Sequence, residues 1–581
     1  MAAPAEIGYT APLGTPVTAL PTRRRSLAAL AFCAVAYLYV VPYQPEINNP
    51  NENVRFYMTA ALAEQGTYVI DDYRERWGWV NDCAVRDGHA YSVKAPATSW
   101  LGVPAYWAYW QYAEATGARW DRTFALWLCR VTASILPWLA FLWFFHRWLG
   151  RHTSSPAVRD GIFLSLALGS CLYGYGMLFM SHTLSAAAAF GAFMLLHDAA
   201  HAGRIRPWRA FFAGLLCGGV TLLEYPGVLA SVGLTLYAFV VVRPVARLLP
   251  FVAGGLLPTA AMMHFQWRCF GSPFSPGHLY VENDFFRGRH EEGFFGAVGV
   301  QPEAIYGLLV HPGAGLLPLT PILVAAIVGF ALLIRARRTR LDGLAVLGVF
   351  VATLLGIAVM NNWRGGWTIG PRYLVLVYPF IGWAALRGLE PFVQRWPRPT
   401  VAFAVGATAV GLLLSAVPSA YYPHYPIPVD RPVSQVVSVL IAHDYAPYAA
   451  ANLFGVYGTW SMVPLGLLGI AALAWLVVAV PGRRARVVAA VGGAAIATVI
   501  AWPLLLDPRP DHPEIREAVG FITSTWTPEG HDDAARLAAS LESDPDADGW
   551  RRLAELYEAE GRDPEARTAR LRAQRLEPRR E

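Results

Sequence analysis

The sequence predicts an all-α polytopic membrane protein of about thirteen transmembrane helices, with a large first outer loop and a small α-helical C-terminal tail. Three observations carry that prediction. Hydrophobic residues make up 55% of the 581, charged residues only 15%, and the mean hydropathy is +0.35, far from the soluble globular mixture. Apolar runs close to twenty residues recur along the chain, the length a helix needs to cross roughly 30 Å of hydrocarbon. The arginines fall in short clusters between those runs, as the positive-inside rule asks of cytoplasmic loops. That parcelling accounts for the net charge of +6 as an orientation signal, and no nucleic-acid partner is expected.

Residues 1–25 read as a cytoplasmic tail ending in Arg23-Arg24-Arg25, followed by an uncleaved first span at 26–43. The chain then lies outside over 44–121. Within that loop, 98–113 is aromatic and interrupted by Pro104, the composition of an interfacial helix. Further spans are expected at 122–146, 161–180, 183–198, 210–223, 226–242, 248–267, 315–334, 342–360, 373–389, 400–418, 459–480 and 487–505. The loops assigned to the cytoplasm each carry at least two arginines, such as Arg204/Arg206/Arg209 and Arg483/Arg484/Arg486. A transmembrane domain over 26–506 results, with outer loops at 44–121, 268–314, 361–372 and 419–458 and the C-terminus outside.

From 507 to 581 the composition turns charged and alanine-rich. Trp550, Leu553, Ala554, Tyr557, Gly561 and Ala566, with Pro578 near the end, match the core spacing of one tetratricopeptide-like repeat. One repeat cannot bury its own face, so an extracytoplasmic helical hairpin is expected, with a protein partner or the body of the chain against it. The six cysteines form no CxxC pair, which excludes a zinc-ribbon or redox motif. Cys83 and Cys269 both fall outside, where a disulfide between them can form.

Candidate chemistry gathers in the first outer loop. Asn49-Pro50-Asn51-Glu52 is a helix start, with Asn as N-cap, Pro in the first turn and Glu placed to close a capping box. Glu52 and Arg55 stand three residues apart, as a surface pair or as a carboxylate and guanidinium turned toward a polar cavity. Asp71, Asp72 and Asp82 add carboxylates. Lys94 is the only lysine in the chain; at headgroup level before Ala95-Pro96, its compact charge suits a phosphate or a lipid headgroup. Glu224-Tyr225 interrupts two apolar runs, and an acid at that depth faces a cavity or a turn at the interface. His182 opens a span on the outer side. Arg130 lies well inside a span and needs an internal partner. The stretch Trp363-Arg364-Gly365-Gly366-Trp367 through Gly370-Pro371-Arg372-Tyr373 combines turn-permitting glycines, flat rings for a sugar and two arginines able to grip phosphate.

These pieces together resemble the GT-C membrane glycosyltransferases, specifically the protein O-mannosyltransferase and aminoarabinose-transferase-like group. Asn51-Glu52-x-x-Arg55 is similar to that group's Asp-Glu-x-x-Arg, and Ser92-Val93-Lys94-Ala95-Pro96 to its Lys-Pro-Pro stretch. Gly66…Ile70-Asp71, Glu224-Tyr225-Pro226 and Trp-x-Gly-Gly-x-x-x-Gly-Pro-Arg-Tyr resemble a bacterial branch of the same group, and the likeness covers roughly 20–506.

The resemblance implies a polyprenyl-phosphate sugar donor, a membrane-lipid environment in a bacterial inner membrane, and a glycan, lipid or protein acceptor. It implies no cofactor, with a divalent metal left open because the outer acids show no ligand spacing. A loop carboxylate would take the acceptor proton and basic side chains would stabilise the departing lipid phosphate. The group's first acid is Asn51 here, and its second falls where His182 stands. The base is therefore Glu52, Asp72 or Asp82. The substrate and phosphate contacts are Arg55, Lys94, His182, Glu224, Tyr225, Trp363, Arg364, Arg372 and Tyr373.

A catalytically inactive relative that binds a lipid-linked sugar is the alternative, motivated by Asn51 and the repeat-like tail. A secondary transporter ranks below both, since no inverted repeat is visible. The active-site reading requires Glu52, Asp82, Lys94 and Arg372 to converge on one outward cavity.

Overall fold

Where a chain crosses hydrocarbon, every backbone N–H and C=O must be paired within the segment, and helices occupy each of the apolar stretches. The computed structural model describes residues 23–41, 49–293, 296–507 and, of the C-terminal segment, chiefly 512–524, 545–559 and 563–576. The N-terminal residues 1–22, the loop residues 42–48, and Gly561 and Pro578 of the repeat-like pattern lie outside the described residues.

The chain is an α-helical membrane protein. Helix α1 (Arg23–Tyr39) leads into the outer elements α2 (Pro50–Gln65), α3 (Asp71–Trp77) and α4 (Ala97–Thr116). The bundle continues with α5 (Arg122–Leu149), α6 (Pro156–Ala167), α7 (Cys171–Met177), α8 (His182–Ala202), α9 (Pro207–Leu223), α10 (Tyr225–Val241) and α11 (Val245–Phe270). It ends with α12 (Pro321–Arg335), α13 (Arg340–Ala358), α14 (Tyr378–Arg395), α15 (Pro397–Tyr421), α16 (Gly458–Val478) and α17 (Arg483–Leu505). Seven of these, α5, α8, α11, α13, α15, α16 and α17, are long and apolar enough to cross a membrane. The other expected spans coincide with shorter or broken helices, so thirteen crossings stays an expectation.

Small residues set the closest helix contacts. Gly214 and Gly218, four apart on α9, meet Gly255 of α11 while Gly254 lies against Phe211 and Leu215, and a Cβ at Gly214 or Gly254 would collide with the carbonyl of Phe251 or Phe211. Where lipid tails compete with side chains for apolar contact, such backbone approach supplies the packing.

An ionic node marks the arginine-rich face. Asp160, fully buried, accepts from Arg25 (2.7 Å), Arg159 (2.7 Å), His146 (3.0 Å) and Trp475 (3.1 Å). It thereby ties α1, α5, α6 and α16 together at one end. The opposite, loop-bearing end holds the outer elements.

There the chain makes a short hairpin, β2 (Cys83–Arg86) and β3 (His89–Ser92); β1 (Val40–Val41) pairs separately with β4 (Tyr448–Ala449). The turn is Asp87-Gly88 with φ of 53° and 82°, the pair of positive angles that a tight two-residue hairpin turn needs and that Asp-Gly favours. Cys83 pairs with Ser92 and Arg86 with His89, so Asp82 and Val93-Lys94 leave the hairpin side by side. The second outer segment lies over it: the Glu282 N–H donates to the Cys83 carbonyl (3.0 Å), and Glu282 takes Arg74 at 2.7 Å.

Two expectations change. Cys83 and Cys269 are both free and buried; each packs as a small apolar group in one cluster with Val80, Phe265 and Phe270. The capping box at α2 does not form, because Asn49 makes no side-chain cap and Glu52 turns inward instead. In the tail, α18 (Ala547–Ala559) and α19 (Asp563–Leu576) form a helical hairpin with Trp550, Leu553 and Ala554 against Ala569 and Ala573.

Candidate active site

The polar centre of the molecule lies where α2, the β2–β3 hairpin, the α7–α8 break and the α9–α10 turn meet on the loop-bearing face. Arg55, buried on α2, organises it. Its guanidinium donates to Asn51 Oδ1 (3.1 Å), the Ala95 carbonyl (2.8 Å) and Ser181 Oγ (2.9 Å), with Glu224 at 3.8 Å. Asn51, standing where the resemblance expects an acid, is thus a holder of Arg55. Helices α2 and α4 are themselves keyed together: the Ser99 hydroxyl donates to the Arg55 carbonyl (3.0 Å) and the Thr59 hydroxyl to the Ser99 carbonyl (3.1 Å).

Glu224 ends α9. It accepts from the Ser181 hydroxyl and lies 3.3 Å from His182 Nδ1. Burial pushes its carboxyl up, but His182, Arg55 and Ser181 together hold it below the usual range. Asp82 and Lys94, brought together by the hairpin register, pair at 2.9 Å with 23% and 16% of their side chains exposed. Arg372 follows the glycine loop and stacks on Tyr373 at 5.2 Å. Among the described residues its buried Nε has no hydrogen-bond partner and no carboxylate lies within ion-pair distance, while Asp82, Glu224 and Arg55 are its electrostatic neighbours. Tyr225 is half-buried, its ring 5.3 Å from that of His278.

Glu52 does not face this centre. Both its oxygens are taken, by Arg130 Nε and Nη2 at 2.7 Å each and by the Phe179 N–H at 2.6 Å. Arg130 sits where α5 widens into a π-helical turn, Arg130–Ile135, and Glu52 is the internal partner its depth demanded. Burial raises the Glu52 carboxyl, but the Arg130 charge and these hydrogen bonds outweigh it and hold it low. A carboxylate so closed has little capacity left to take a proton from an acceptor. Asp72 is also elsewhere: it lies in the first turn of α3 and accepts from Gln65 at 2.8 Å.

The glycine loop divides. Gly365, Gly366 and Gly370 all have positive φ (78°, 81° and 62°), and a Cβ at Gly365 would meet the Tyr373 ring at 2.8 Å. That fold-back delivers Arg372 and Tyr373 to the centre. Trp363 instead packs on Gly307, and Arg364 points to the Val429 carbonyl (3.4 Å) beside Asp430. Of the residues required to converge, Asp82, Lys94 and Arg372 gather together; Glu52 stands one layer deeper.

Three histidines that sequence reasoning passed over border the centre. His278 and His290 are 5.1 Å apart near Lys94, and His424 accepts at Nε2 from the Asn49 amide at 2.8 Å. Burial pushes His424 down to about 4 and His278 to about 3. Folded values below the unfolded one mean that the neutral rings contribute stability above about pH 6.5, lost as pH falls through their folded values. The unfolding midpoint is therefore expected to drop between about pH 6.5 and 4, and His424→Gln to make that drop shallower. An equal slope in the variant would show that His424 contributes nothing.

No family model and no curated protein matches the chain. Solved structures are similar to it. ArnT from Cupriavidus metallidurans bound to undecaprenyl phosphate shares 15% identity over 89% of this chain and 80% of that one, at a TM-score of 0.48. The apo state of the same protein gives 16%, 89%, 79% and 0.45. The oligosaccharyltransferase AglB from Archaeoglobus fulgidus, in complex with an inhibitory peptide and a dolichol-phosphate, gives 14% identity, 72% and 58% coverage and 0.39. At these identities the likeness is one of fold.

Proposed function

We propose that this chain is an integral membrane glycosyltransferase that moves a sugar from a polyprenyl-phosphate donor to an acceptor on the outer face of the membrane. The observation that carries the proposal is Arg372, a guanidinium without a carboxylate partner among the described residues, beside Lys94 and Arg55 at the loop-bearing face. Three cations around two acids leave a surplus of positive charge, which suits a phosphate. An apolar cleft of about 540 Å³ between α9, α10 and α11 runs up to Leu222 and Gln266, next to Glu224-Tyr225, and its lining suits a prenyl chain.

In this reading the acceptor oxygen or nitrogen attacks the anomeric carbon as the bond from that carbon to the phosphate oxygen breaks. The acceptor proton goes to Asp82, and the polyprenyl phosphate leaves with its charge met by Arg372, Lys94 and Arg55. Asp82 is idle while Lys94 holds it. When Lys94 turns to the donor phosphate, the carboxylate is released, so donor binding readies the base. Glu224 and His182 position Arg55 and Ser181. The arginine-rich face is then cytoplasmic, with the N-terminus inside and the C-terminus outside.

The test is turnover of a radiolabelled polyprenyl-phosphate sugar by the protein in nanodiscs. Lys94→Ala and Arg372→Ala are each expected to raise the donor KM by about ten- to a hundredfold, following ~1.5–3 kcal/mol for a hydrogen bond to a charged group. Tight donor binding without turnover in the unaltered protein would favour the inactive lipid-sugar-binding alternative, which Asn51 motivates. No donor binding would overturn both.

A further inference from the structure

A second cluster lies at the other end of α8. His197 and His201 are four residues apart on that helix and so share a face, about 22 and 28 Å along the axis from His182 at 1.5 Å per residue. Asp342, in the first turn of α13, meets them there. His201 Nε2 is 2.8 Å and His197 Nε2 3.9 Å from the same oxygen, Asp342 Oδ2, and the three donor atoms all lie within 4.8 Å of one another. Ligands bonded at 2.0–2.1 Å in a tetrahedron stand roughly 3.3 Å apart, so one of these gaps has to open slightly and the other to close.

The surroundings orient the donors. The other Asp342 oxygen accepts the Tyr237 hydroxyl. His197 Nδ1 faces Asp198 Oδ1 at 3.7 Å, and Arg151 holds Asp198 at 3.1 Å. His197 Nδ1 is buried and makes no hydrogen bond at that distance; closing the gap to Asp198 would fix the tautomer with Nε2 as the lone pair, the arrangement found behind metal-ligating imidazoles. The Asp342 side chain is 3% exposed but that of His201 is 40% exposed, so one side of the cluster opens to solvent. A bare hydrogen bond between His201 and Asp342 would satisfy that pair alone. It leaves the second imidazole pointing its Nε2 at the same oxygen, a crowding that a shared cation relieves.

We propose that His197, His201 and Asp342 bind one divalent transition-metal ion of the Zn²⁺ class, which ties α8 to α13 at the arginine-rich face with solvent completing the coordination. Two imidazoles and a carboxylate favour such an ion over Mg²⁺ or Ca²⁺. The site is independent of the proposed sugar transfer, being at the opposite end of the bundle.

The experiment uses the full chain without a histidine tag, in nanodiscs, stripped with a chelator and titrated with Co²⁺ as a spectroscopic probe. One equivalent is expected to bind with visible ligand-field bands lacking thiolate charge transfer, and Zn²⁺ to displace it. His201→Ala should weaken Co²⁺ on the order of a hundredfold or more, and Tyr237→Phe, which leaves all three ligands in place, by about ten- to a hundredfold. His264→Ala, at an exposed histidine outside the cluster, should bind as the parent does. Absence of stoichiometric uptake would overturn the proposal. So would uptake unchanged in His201→Ala, or Zn²⁺ raising the unfolding midpoint equally in parent and His201→Ala.

Discussion

Replacing Asp82 by asparagine is expected to lower kcat by about 10²–10⁴-fold, the usual contribution of a positioned base, while the donor KM stays level or falls. The two effects have different origins. An amide cannot take the acceptor proton, so the loss appears in kcat. Lys94 meanwhile loses the carboxylate it pairs with at 2.9 Å, and its full charge becomes available to the donor phosphate. A residue that merely held the loop in shape would raise KM and lower stability instead, so a fall in kcat without a rise in KM is the diagnostic. Glu224→Gln is the comparator. Were Asp82→Asn to keep its kcat and Glu224→Gln to lose it, the base would be Glu224, and Asp82 would be reduced to a partner of Lys94.

Arg130→Met is expected to destabilise the protein by about 3–5 kcal/mol, the cost typical of leaving one member of a buried ion pair behind. Glu52 would keep the Phe179 N–H but lose both Arg130 bonds, and its charge would be stranded between α2 and α5. The double variant Glu52→Gln with Arg130→Met should recover much of that loss, because the amide oxygen still accepts from Phe179 and no charge remains. Unfolding midpoints in one detergent, arranged as a double-mutant cycle, measure the coupling. If the single and double variants were equally destabilised, the pair would not be the mooring between the outer elements and the bundle.

What the sequence revealed followed the range of the physics involved. Apolar runs and arginine clusters are local, and helices lie on each expected stretch. Arg130 announced by its depth that a partner existed, but nothing in the sequence pointed 78 residues back to Glu52. Glu52 itself misled. Its local pattern suits a capping box, and a desolvated guanidinium outcompeted a single backbone N–H for its oxygens. Asp72 and Asp82 look alike as loop acids; only the hairpin separates them, and its Asp87-Gly88 turn between short alternating strands was a readable signal that went unused. The His197–His201 spacing was equally open to view, but its third member lies 141 residues from His201. Arg364 and Arg372 share one motif, yet the glycine angles between them send them to different neighbours.

The pairing of Asp82 with Lys94 rests on the count of residues between them rather than on their identity. In a hairpin, a shift of one residue turns every following side chain to the other face. Positions 84, 85, 90 and 91 can therefore exchange one suitable side chain for another over evolutionary time, provided that the segment from 83 to 92 keeps its length. Insertions and deletions in this loop should be far rarer than substitutions. A mutational library that varies length as well as residue would separate these two kinds of constraint directly.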